Sequence, residues 1–318
     1  MFSSNKVRRL LKKLFFRSAF SILLLTTDSL AAPCCGGSSA LPSLITGDDR
    51  AQVSASLTQS QVIGDAPSQG LPVFRGEGDN ESSQTLRFDG AYRFADADAW
   101  QAGLGVPLTR RSREFGPRQT DRAGLGDLTA DVAYEILPEL SYSAWKPKGF
   151  VFVDLTAPTS PSIYDAKAPY LVDARGRGFF SLGAGLVFIK TVQSFDFNFI
   201  SELHRSFARS FELQDGSHIT AEPGWGGSLT LGGGYNLENF RFGLSLSPVY
   251  EDPITTSGDL NSKSSSQLVW NTTAQVGYLI STEWSASFNY TDQTLMGPVR
   301  NVTLSRSFSL LCQRRWEL

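Results

Sequence analysis

The sequence predicts an all-β protein, a transmembrane antiparallel β-barrel of about twelve strands. Twelve short segments of alternating hydrophobicity run from about residue 50 to the C-terminus, and their connections are alternately long and short. No apolar run reaches the roughly 18 residues that a spanning helix needs. Backbone polar groups in hydrocarbon must be paired within the protein, so only helices and closed sheets span a bilayer. Two-faced strands in an even number therefore favour a barrel.

The N-terminus has the three parts of a secretory signal peptide. Six basic residues precede a short apolar stretch at residues 19–26, and small residues flank Leu30 at a cleavage site. The apolar stretch is too short for an uncleaved membrane anchor. A lipoprotein signal is the alternative, because Cys34 and Cys35 follow closely, but Pro33 stands where a lipidated cysteine needs a small residue before it.

These features divide the chain into three regions. We expect a signal peptide at residues 1–31, an N-terminal periplasmic segment at residues 32–49 and one outer-membrane β-barrel at residues 50–318. The whole chain has 29 basic and 31 acidic residues, and residues 1–31 contain six of the basic and one of the acidic residues. The chain after residue 31 therefore has 23 basic and 30 acidic residues and a net charge near −7. An acidic chain argues against a nucleic-acid partner. The expected partners are outer-membrane lipid, a small-molecule solute and the barrel-assembly machinery.

Each predicted strand has one apolar face when alternate residues are compared. In the second strand, for example, Leu86 and Phe88 share the apolar face, and Arg87 and Asp89 point the other way. In the last strand Arg306 interrupts the apolar face. The predicted strands are 51–63, 84–94, 100–108, 126–136, 149–157, 178–190, 195–206, 224–235, 240–250, 267–280, 284–292 and 300–313.

The connections and the aromatic residues give the barrel a direction. Long connections are predicted at 64–83, 109–124, 158–177, 207–223 and 251–266, and short ones at 95–99, 191–194, 236–239 and 281–283. There are two exceptions. The connection at residues 137–148 is longer than the other short connections, and the connection at residues 293–299 is shorter than the other long ones. Bacterial barrels place short turns in the periplasm and long loops outside. Aromatic residues gather at the short-turn ends, where a periplasmic girdle is expected: Tyr92, Phe94, Trp100, Tyr134, Phe188, Phe195, Tyr235, Phe240, Tyr278 and Trp284. A soluble β-sandwich, the alternative fold, predicts neither feature.

The polar faces of the strands carry charged residues that we expect to face the lumen. Small barrels fill their interiors with side chains, so these charges either pair structurally or line a narrow solute path. The candidates are Arg87, Asp89, Arg93, Asp127, Asp131, Glu135, Asp154, Asp196, Glu202 and Arg241. No cofactor-binding or metal-ligand motif is apparent, and the adjacent Cys34 and Cys35 lack the spacing of a zinc site. A metal-binding or redox role for them and for Cys312 is a minor hypothesis.

One short motif carries a family resemblance. The residues Gly124-Leu125-Gly126-Asp127-Leu128, with Tyr134 further along the strand, resemble the GxGD…Y strand of outer-membrane proteins related to the phenol-degradation MetA-pathway family, and more loosely the FadL-type hydrocarbon transporters. The resemblance covers the barrel only. It implies uptake of aromatic or other poorly soluble small molecules. The alternative is that the glycines and the aspartate simply start a strand at a loop boundary.

An outer-membrane lipid hydrolase is the enzyme to consider, since such phospholipases are also twelve-stranded. Their chemistry needs a histidine in reach of a serine nucleophile. The chain has only two histidines, and His204 falls on an inward face while His218 lies in a loop beside Ser217. We therefore expect no enzyme but a passive channel for small solutes, with hydrophobic or aromatic compounds as one class. A structural or adhesive barrel with a plugged lumen is the alternative.

Overall fold

The computed structural model describes residues 43–76, 78–94, 99–139, 141 and 143–317. The expected signal peptide, Cys34 and Cys35 lie outside these residues. Strands in chain order are β1 (Asp49–Ala66), β2 (Val73–Phe74), β3 (Asp79–Arg93), β4 (Trp100–Phe115), β5 (Arg118–Leu125), β6 (Leu128–Leu137), β7 (Lys148–Ala157), β8 (Ser181–Val192), β9 (Phe195–Ser206), β10 (Arg209–Glu212), β11 (His218–Glu222), β12 (Trp225–Leu237), β13 (Phe240–Glu251), β14 (Thr255–Gly258), β15 (Ser262–Lys263), β16 (Gln267–Leu279), β17 (Trp284–Asp292) and β18 (Val302–Glu317). A 3-10 turn spans Pro169–Leu171. No helix in the described ranges is long and apolar enough to cross a membrane.

Twelve strands close into an antiparallel barrel. Their order is β1, β3, β4, β6, β7, β8, β9, β12, β13, β16, β17 and β18. The last strand pairs with the first along its whole length, from Asp49 opposite Glu317 to Ala66 opposite Val302, so the barrel has no open edge. The predicted fold class and strand number are confirmed.

The outer wall is apolar, and this separates the barrel from a soluble sandwich. On β9, Phe195, Phe197 and Leu203 are exposed, while the alternate residues between them are less exposed or buried. Every barrel strand repeats this arrangement, which gives an apolar surface far larger than soluble proteins expose. Such a surface fits hydrocarbon rather than water.

Aromatic rings pair across neighbouring strands at the short-turn end of the barrel. Trp100 packs on Tyr134 with ring centroids 4.8 Å apart. Phe195 and Tyr235 are 5.2 Å apart, and Phe240 and Tyr278 are 4.8 Å apart. The amphipathic rings of Trp and Tyr at such an end are the expected anchor at a lipid headgroup layer.

At the opposite end the structure corrects the predicted loops, because several of them contain strands. The 109–124 connection is a hairpin in which β4 runs on to Phe115 and pairs with β5. Parts of 207–223 and 251–266 form a separate four-stranded sheet of β10, β11, β14 and β15. These strands extend past the apolar outer wall and need no lipid-facing side, so their sequences lack the alternation that identifies strands inside a bilayer.

Candidate functional site: a polar cavity in the lumen

The barrel lumen contains a cavity of about 340 Å³. Hydroxyl groups of the wall strands line it, among them Thr58, Thr85, Thr109 and Thr303. Charged groups line it as well, and they come from β3, β4, β7, β9, β13, the connection between β5 and β6 and the loop before β8. The volume lies at the lower end of the roughly 300–1,000 Å³ of ligand pockets, so the cavity suits a small polar group or solute.

The end of the barrel with the long loops is called extracellular and the end with the short turns periplasmic, after the orientation expected from the sequence. Residues 158–180, here called the inner loop, contact the cavity from the extracellular side. The carboxylate of Asp127 accepts hydrogen bonds from the backbone and hydroxyl of Ser160 (3.2 and 2.8 Å) and from the backbone N–H of Arg177 (2.7 Å). Arg111 donates to the carbonyl of Ala174 at 2.5 Å, and Arg175 donates to the carbonyl of Leu125 at 3.2 Å. Bonds to charged groups fix a loop more strongly than neutral ones do, so the inner loop is firmly attached to the wall.

Above the inner loop lies a small core formed by the extracellular strands. Phe211 of β10 and Ile219 of β11 are buried against Phe179. The rings of Phe179 and Phe211 meet edge to face with centroids 5.7 Å apart. This packing covers the inner loop from outside and explains why β10 and β11 form a sheet rather than an open loop.

At the periplasmic end, residues 43–47, here called the inserted segment, lie inside the barrel. The backbone N–H of Ser43 donates to Asp131 at 3.1 Å, and that of Ile45 donates to the side-chain oxygen of Gln101 at 2.6 Å. Arg93 donates to the carbonyls of Ile45 (3.3 Å) and Gly47 (2.9 Å). Ile45 has no exposed surface. The segment therefore occupies part of the lumen at the periplasmic end.

An apolar patch of the inner wall holds the inserted segment. Phe150 and Phe152 are fully buried with Ala133 and Val187, and Leu44 packs against this cluster. These side chains face the lumen, since their strand neighbour Val153 is exposed on the outer wall. Asp154, the next residue and one of the lumen candidates, lines the cavity.

A chain of hydrogen bonds connects the wall to the inner loop at His204. Its Nδ1 lies 2.7 Å from Glu202, and its Nε2 lies 3.2 Å from Glu251. Arg177 of the inner loop pairs with the same Glu251 and lies 3.3 Å from His204 Nε2. Gly226 stands opposite both His204 and Glu251, and a Cβ there would overlap their side chains, so this glycine makes room for the network.

Two carboxylates stand out because they have fewer partners. Asp131 on β6 and Asp154 on β7 are directly opposite each other. Asp131 Oδ2 and Asp154 Oδ1 are buried and have no hydrogen-bond partner. Asp154 lines the cavity. Gly183, the cross-strand neighbour of Asp154, leaves the space that its carboxylate occupies.

The other predicted lumen residues form local pairs. Arg87 binds Asp89 at 2.7 Å and Thr129 at 2.9 Å. Asp196 receives two hydrogen bonds from Arg241, at 2.9 and 2.5 Å. Each pair satisfies its members, as internal salt bridges in a small barrel do. Nearer the periplasmic end, Glu135 is paired with Lys148 at 3.4 Å.

Six further charged residues of the cavity wall escaped the list of candidates. These residues are Glu81, Arg111, Arg175, Arg177, His204 and Glu251. His204 was placed on an inward face but considered only for hydrolysis, and the other five fell in predicted connections. For Glu81 and Arg111 the signal was present, because each continues the inward alternation of its strand. The loop residues Arg175 and Arg177 carry no such signal.

A cluster beside the cavity fixes the extracellular ends of the first strands. Glu81 pairs with Arg111 at 2.7 Å and with Arg75 at 3.0 Å, and Arg75 also pairs with Asp65 at 3.1 Å. Burial by itself would lower the pKa of Arg75, but its hydrogen bonds to Asp65 and Glu81 outweigh burial and raise the pKa. Arg75 therefore stays charged and holds the carboxylates together.

The two glycines and the aspartate of the Gly-rich motif each have a structural part in the site. Gly124 lies against the guanidinium of Arg175, where a Cβ would come within 2.6 Å of it. Gly126 donates its N–H to the carbonyl of Pro107 at 2.8 Å. Asp127 holds the inner loop, and Tyr134 belongs to the aromatic girdle. The motif therefore does more than start a strand, because it connects the barrel wall to the inner loop.

Comparisons with known proteins give the class of the fold. No family model matches the chain, and no curated protein matches it. Among solved structures, an outer membrane channel from Pseudomonas putida F1 matches with a TM-score of 0.67 at 13% identity, covering 86% of this chain and 97% of that one. The transport unit of the autotransporter AIDA-I from Escherichia coli matches with a TM-score of 0.49 at 8% identity, covering 88% and 94% of the two chains. A mutant of the monoaromatic hydrocarbon channel TodX matches with a TM-score of 0.45 at 10% identity, covering 86% and 91%.

The first of these likenesses shows that the chain has the fold of an outer-membrane channel barrel. At 13% identity it shows the fold alone.

Proposed function

We propose that this protein is a passive channel for small solutes in the outer membrane of a Gram-negative bacterium. The observation that carries the proposal is the polar cavity inside a closed barrel. The lumen holds this cavity, and two chain segments inside the barrel, the inner loop and the inserted segment, are held to the wall by hydrogen bonds and by the apolar contacts of Leu44. Such segments can move without breaking the barrel, whereas a lumen filled by wall side chains has no removable part.

The outer-membrane location rests on the same structure. The apolar outer wall and the aromatic residues at its short-turn end fit a lipid bilayer, and the N-terminal signal-peptide pattern fits export. Outer-membrane lipid and the barrel-assembly machinery follow from this location as proposed partners. The fold shared with the Pseudomonas putida channel supports it.

The solute class expected from the sequence, hydrophobic or aromatic small molecules, is part of this proposal. The family resemblance of the Gly-rich motif supports it, as does the aromatic patch of Phe150 and Phe152 in the lumen. The hydroxyl-rich and charged cavity adds a requirement, since a wholly apolar molecule leaves those polar groups without partners. A solute that has both an apolar part and polar groups meets both conditions.

The alternative is a structural or adhesive barrel with a plugged lumen. The observation that favours it is that the inner loop and the inserted segment both lie inside the barrel. A lipid hydrolase has less support, because the hydrogen-bond partners of His204 are Glu202, Glu251 and Arg177 rather than a serine hydroxyl. A nucleophile–base pair needs that contact.

Single-channel recording separates the channel from the plugged barrel. The purified, refolded protein is inserted in a planar bilayer, and discrete, reproducible current steps are the expected result. A correctly folded sample that stays silent over a wide voltage range would overturn the open-channel proposal and favour the plugged barrel. Correct folding is checked by the faster migration of an unheated barrel in gel electrophoresis.

A further inference from the structure

We propose that the lumen cavity binds a small solute with a positively charged nitrogen and an anionic group, held by Asp154 and Arg175 respectively. This inference rests on the proposed channel function and names the solute chemistry of the same cavity. It follows from a comparison of the charged groups around the cavity that have a hydrogen-bond or ion-pair partner with those that lack one.

Most charged groups around the cavity are already engaged. Arg111 pairs with Glu81 at 2.7 Å, and Arg87 pairs with Asp89 at the same distance. Asp127 accepts three hydrogen bonds from the inner loop. The network around His204 engages Glu202, Glu251 and Arg177. These groups have little bonding capacity left for a solute.

Asp154 is the anionic exception. No other residue of the described chain donates a hydrogen bond to its carboxylate, and its Oδ1 is buried without any partner. An unpaired buried carboxylate is costly, and the cost rises here because Asp131 stands directly opposite. A protonated amine or a quaternary nitrogen in the cavity would remove both penalties. The site therefore fits a cationic group.

Arg175 is the cationic exception. Its Nε donates to the carbonyl of Leu125, and no carboxylate of the described residues lies within ion-pair distance of its guanidinium. Gly124 lies against the guanidinium, and Arg175 is one of the residues that line the cavity. A guanidinium with free N–H groups is the usual partner of a carboxylate or phosphate.

Three aromatic probes of one shape test the two contacts separately. L-phenylalanine has both charges at neutral pH, 2-phenylethylamine has only the positive charge, and 3-phenylpropanoate has only the negative charge. Binding to the refolded protein is measured by isothermal titration calorimetry. Because a hydrogen bond to a charged group contributes roughly a tenfold or larger factor in affinity, we expect phenylalanine to bind about tenfold tighter than either analogue.

Two substitutions assign the contacts. Asp154→Asn should reduce phenylalanine affinity about tenfold and leave the affinity for 3-phenylpropanoate unchanged. Arg175→Gln should also reduce phenylalanine affinity about tenfold, and it should leave the affinity for 2-phenylethylamine unchanged. Asp121→Asn and Arg110→Gln are matched controls, because this pair lies on the extracellular hairpin with both side chains about half exposed. These controls should bind the probes like the parent protein.

The outcomes are distinct from those of the channel test. Equal affinities for the three probes, no binding of any probe, or phenylalanine binding that survives both substitutions would each overturn the inference. If current steps are present in the same samples, the channel proposal stands and only the solute chemistry is wrong. If probe binding follows the expected order in a silent barrel, the binding site stands and the channel proposal fails.

Discussion

Asp131 and Asp154 face each other across β6 and β7, and each has a buried carboxylate oxygen without a hydrogen-bond partner. Like charges directly opposite on neighbouring strands destabilise a sheet, by roughly 0.2–1 kcal/mol. The barrel accommodates the pair because the cross-strand neighbour of each aspartate on the flanking strand is a glycine. Gly103 of β4 lies opposite Asp131, and Gly183 of β8 lies opposite Asp154. Folding stability alone does not explain such an arrangement, whereas a cationic solute at Asp154 does.

Replacing Asp154 with asparagine should therefore stabilise the empty barrel. The substitution removes one of two facing charges and keeps the size of the side chain, so the free energy of unfolding should rise by about 0.5 kcal/mol. The measurement is urea unfolding of the refolded protein in lipid vesicles. Asp89→Asn is the matched control, because Asp89 is paired with Arg87 and its neutralisation should lower stability. A loss of stability in Asp154→Asn would contradict the interpretation.

The inserted segment should loosen when Gln101 is replaced. Its side chain accepts from the N–H of Ile45 at 2.6 Å and donates to the carbonyl of the same residue at 3.3 Å. Gln101→Leu leaves a buried N–H unsatisfied, which costs roughly 1–3 kcal/mol and should raise the open fraction about tenfold. Single-channel recordings measure that fraction.

Gln84→Leu is the control for this experiment, since Gln84 is an exposed residue of β3. It should leave the open fraction unchanged. An unchanged open fraction in Gln101→Leu as well would show that the inserted segment does not limit the current.

The inner loop should become accessible when Asp127 is replaced by alanine. The change removes three hydrogen bonds to one carboxylate, from the backbone and hydroxyl of Ser160 and the backbone of Arg177. Each bond to a charged group contributes roughly 1.5–3 kcal/mol, so cleavage by trypsin after Arg175 and Arg177 should be at least tenfold faster. Mass spectrometry of the fragments identifies the cut. Asp121→Ala, on the exposed hairpin, should digest like the parent protein, and equal rates for both variants would refute the role of Asp127.

The sequence predicted the membrane part of the fold well because a bilayer imposes a strict pattern. Strand β9 was predicted with its exact bounds, residues 195–206, since each outward position must be apolar there. The end of β4 was missed, because residues 109–115 extend past the apolar wall and are released from that pattern. Pattern reading therefore finds strands only as far as the lipid extends.

The candidate site was predicted less completely, for a different reason. Alternation shows which face a residue lies on, and it indicated the inward position of Asp131 and Asp154. It does not show that the two are opposite, because the pairing register depends on both strands together. Nor does any local pattern place Ile45 inside the lumen or bring Arg177 to Glu251, since both contacts join segments far apart in the chain.

Arg306 interrupts the apolar face of the last strand, and the structure explains it by its cross-strand neighbour Asp292. Its Nε lies 2.7 Å from Asp292, whose carboxylate also accepts from the hydroxyls of Tyr290 and Thr294. Asp292→Ala would leave a guanidinium without an anion on the outer wall. Because the pair lies at the extracellular end of β17 and Arg306 is half exposed, the cost should be about 1 kcal/mol, as for a cation near the membrane interface.

A double-mutant cycle isolates the Arg306–Asp292 pair from the other hydrogen bonds of Asp292. Arg306→Leu restores an apolar residue in phase with Phe308, so the variant carrying both substitutions should unfold at a higher urea concentration than Asp292→Ala alone. Arg314→Leu combined with Asp292→Ala serves as the unrelated pair, because Arg314 binds Glu283 at the other end of the strand. If the Arg306 and Asp292 effects simply add, the ion pair is not what allows an arginine on this face.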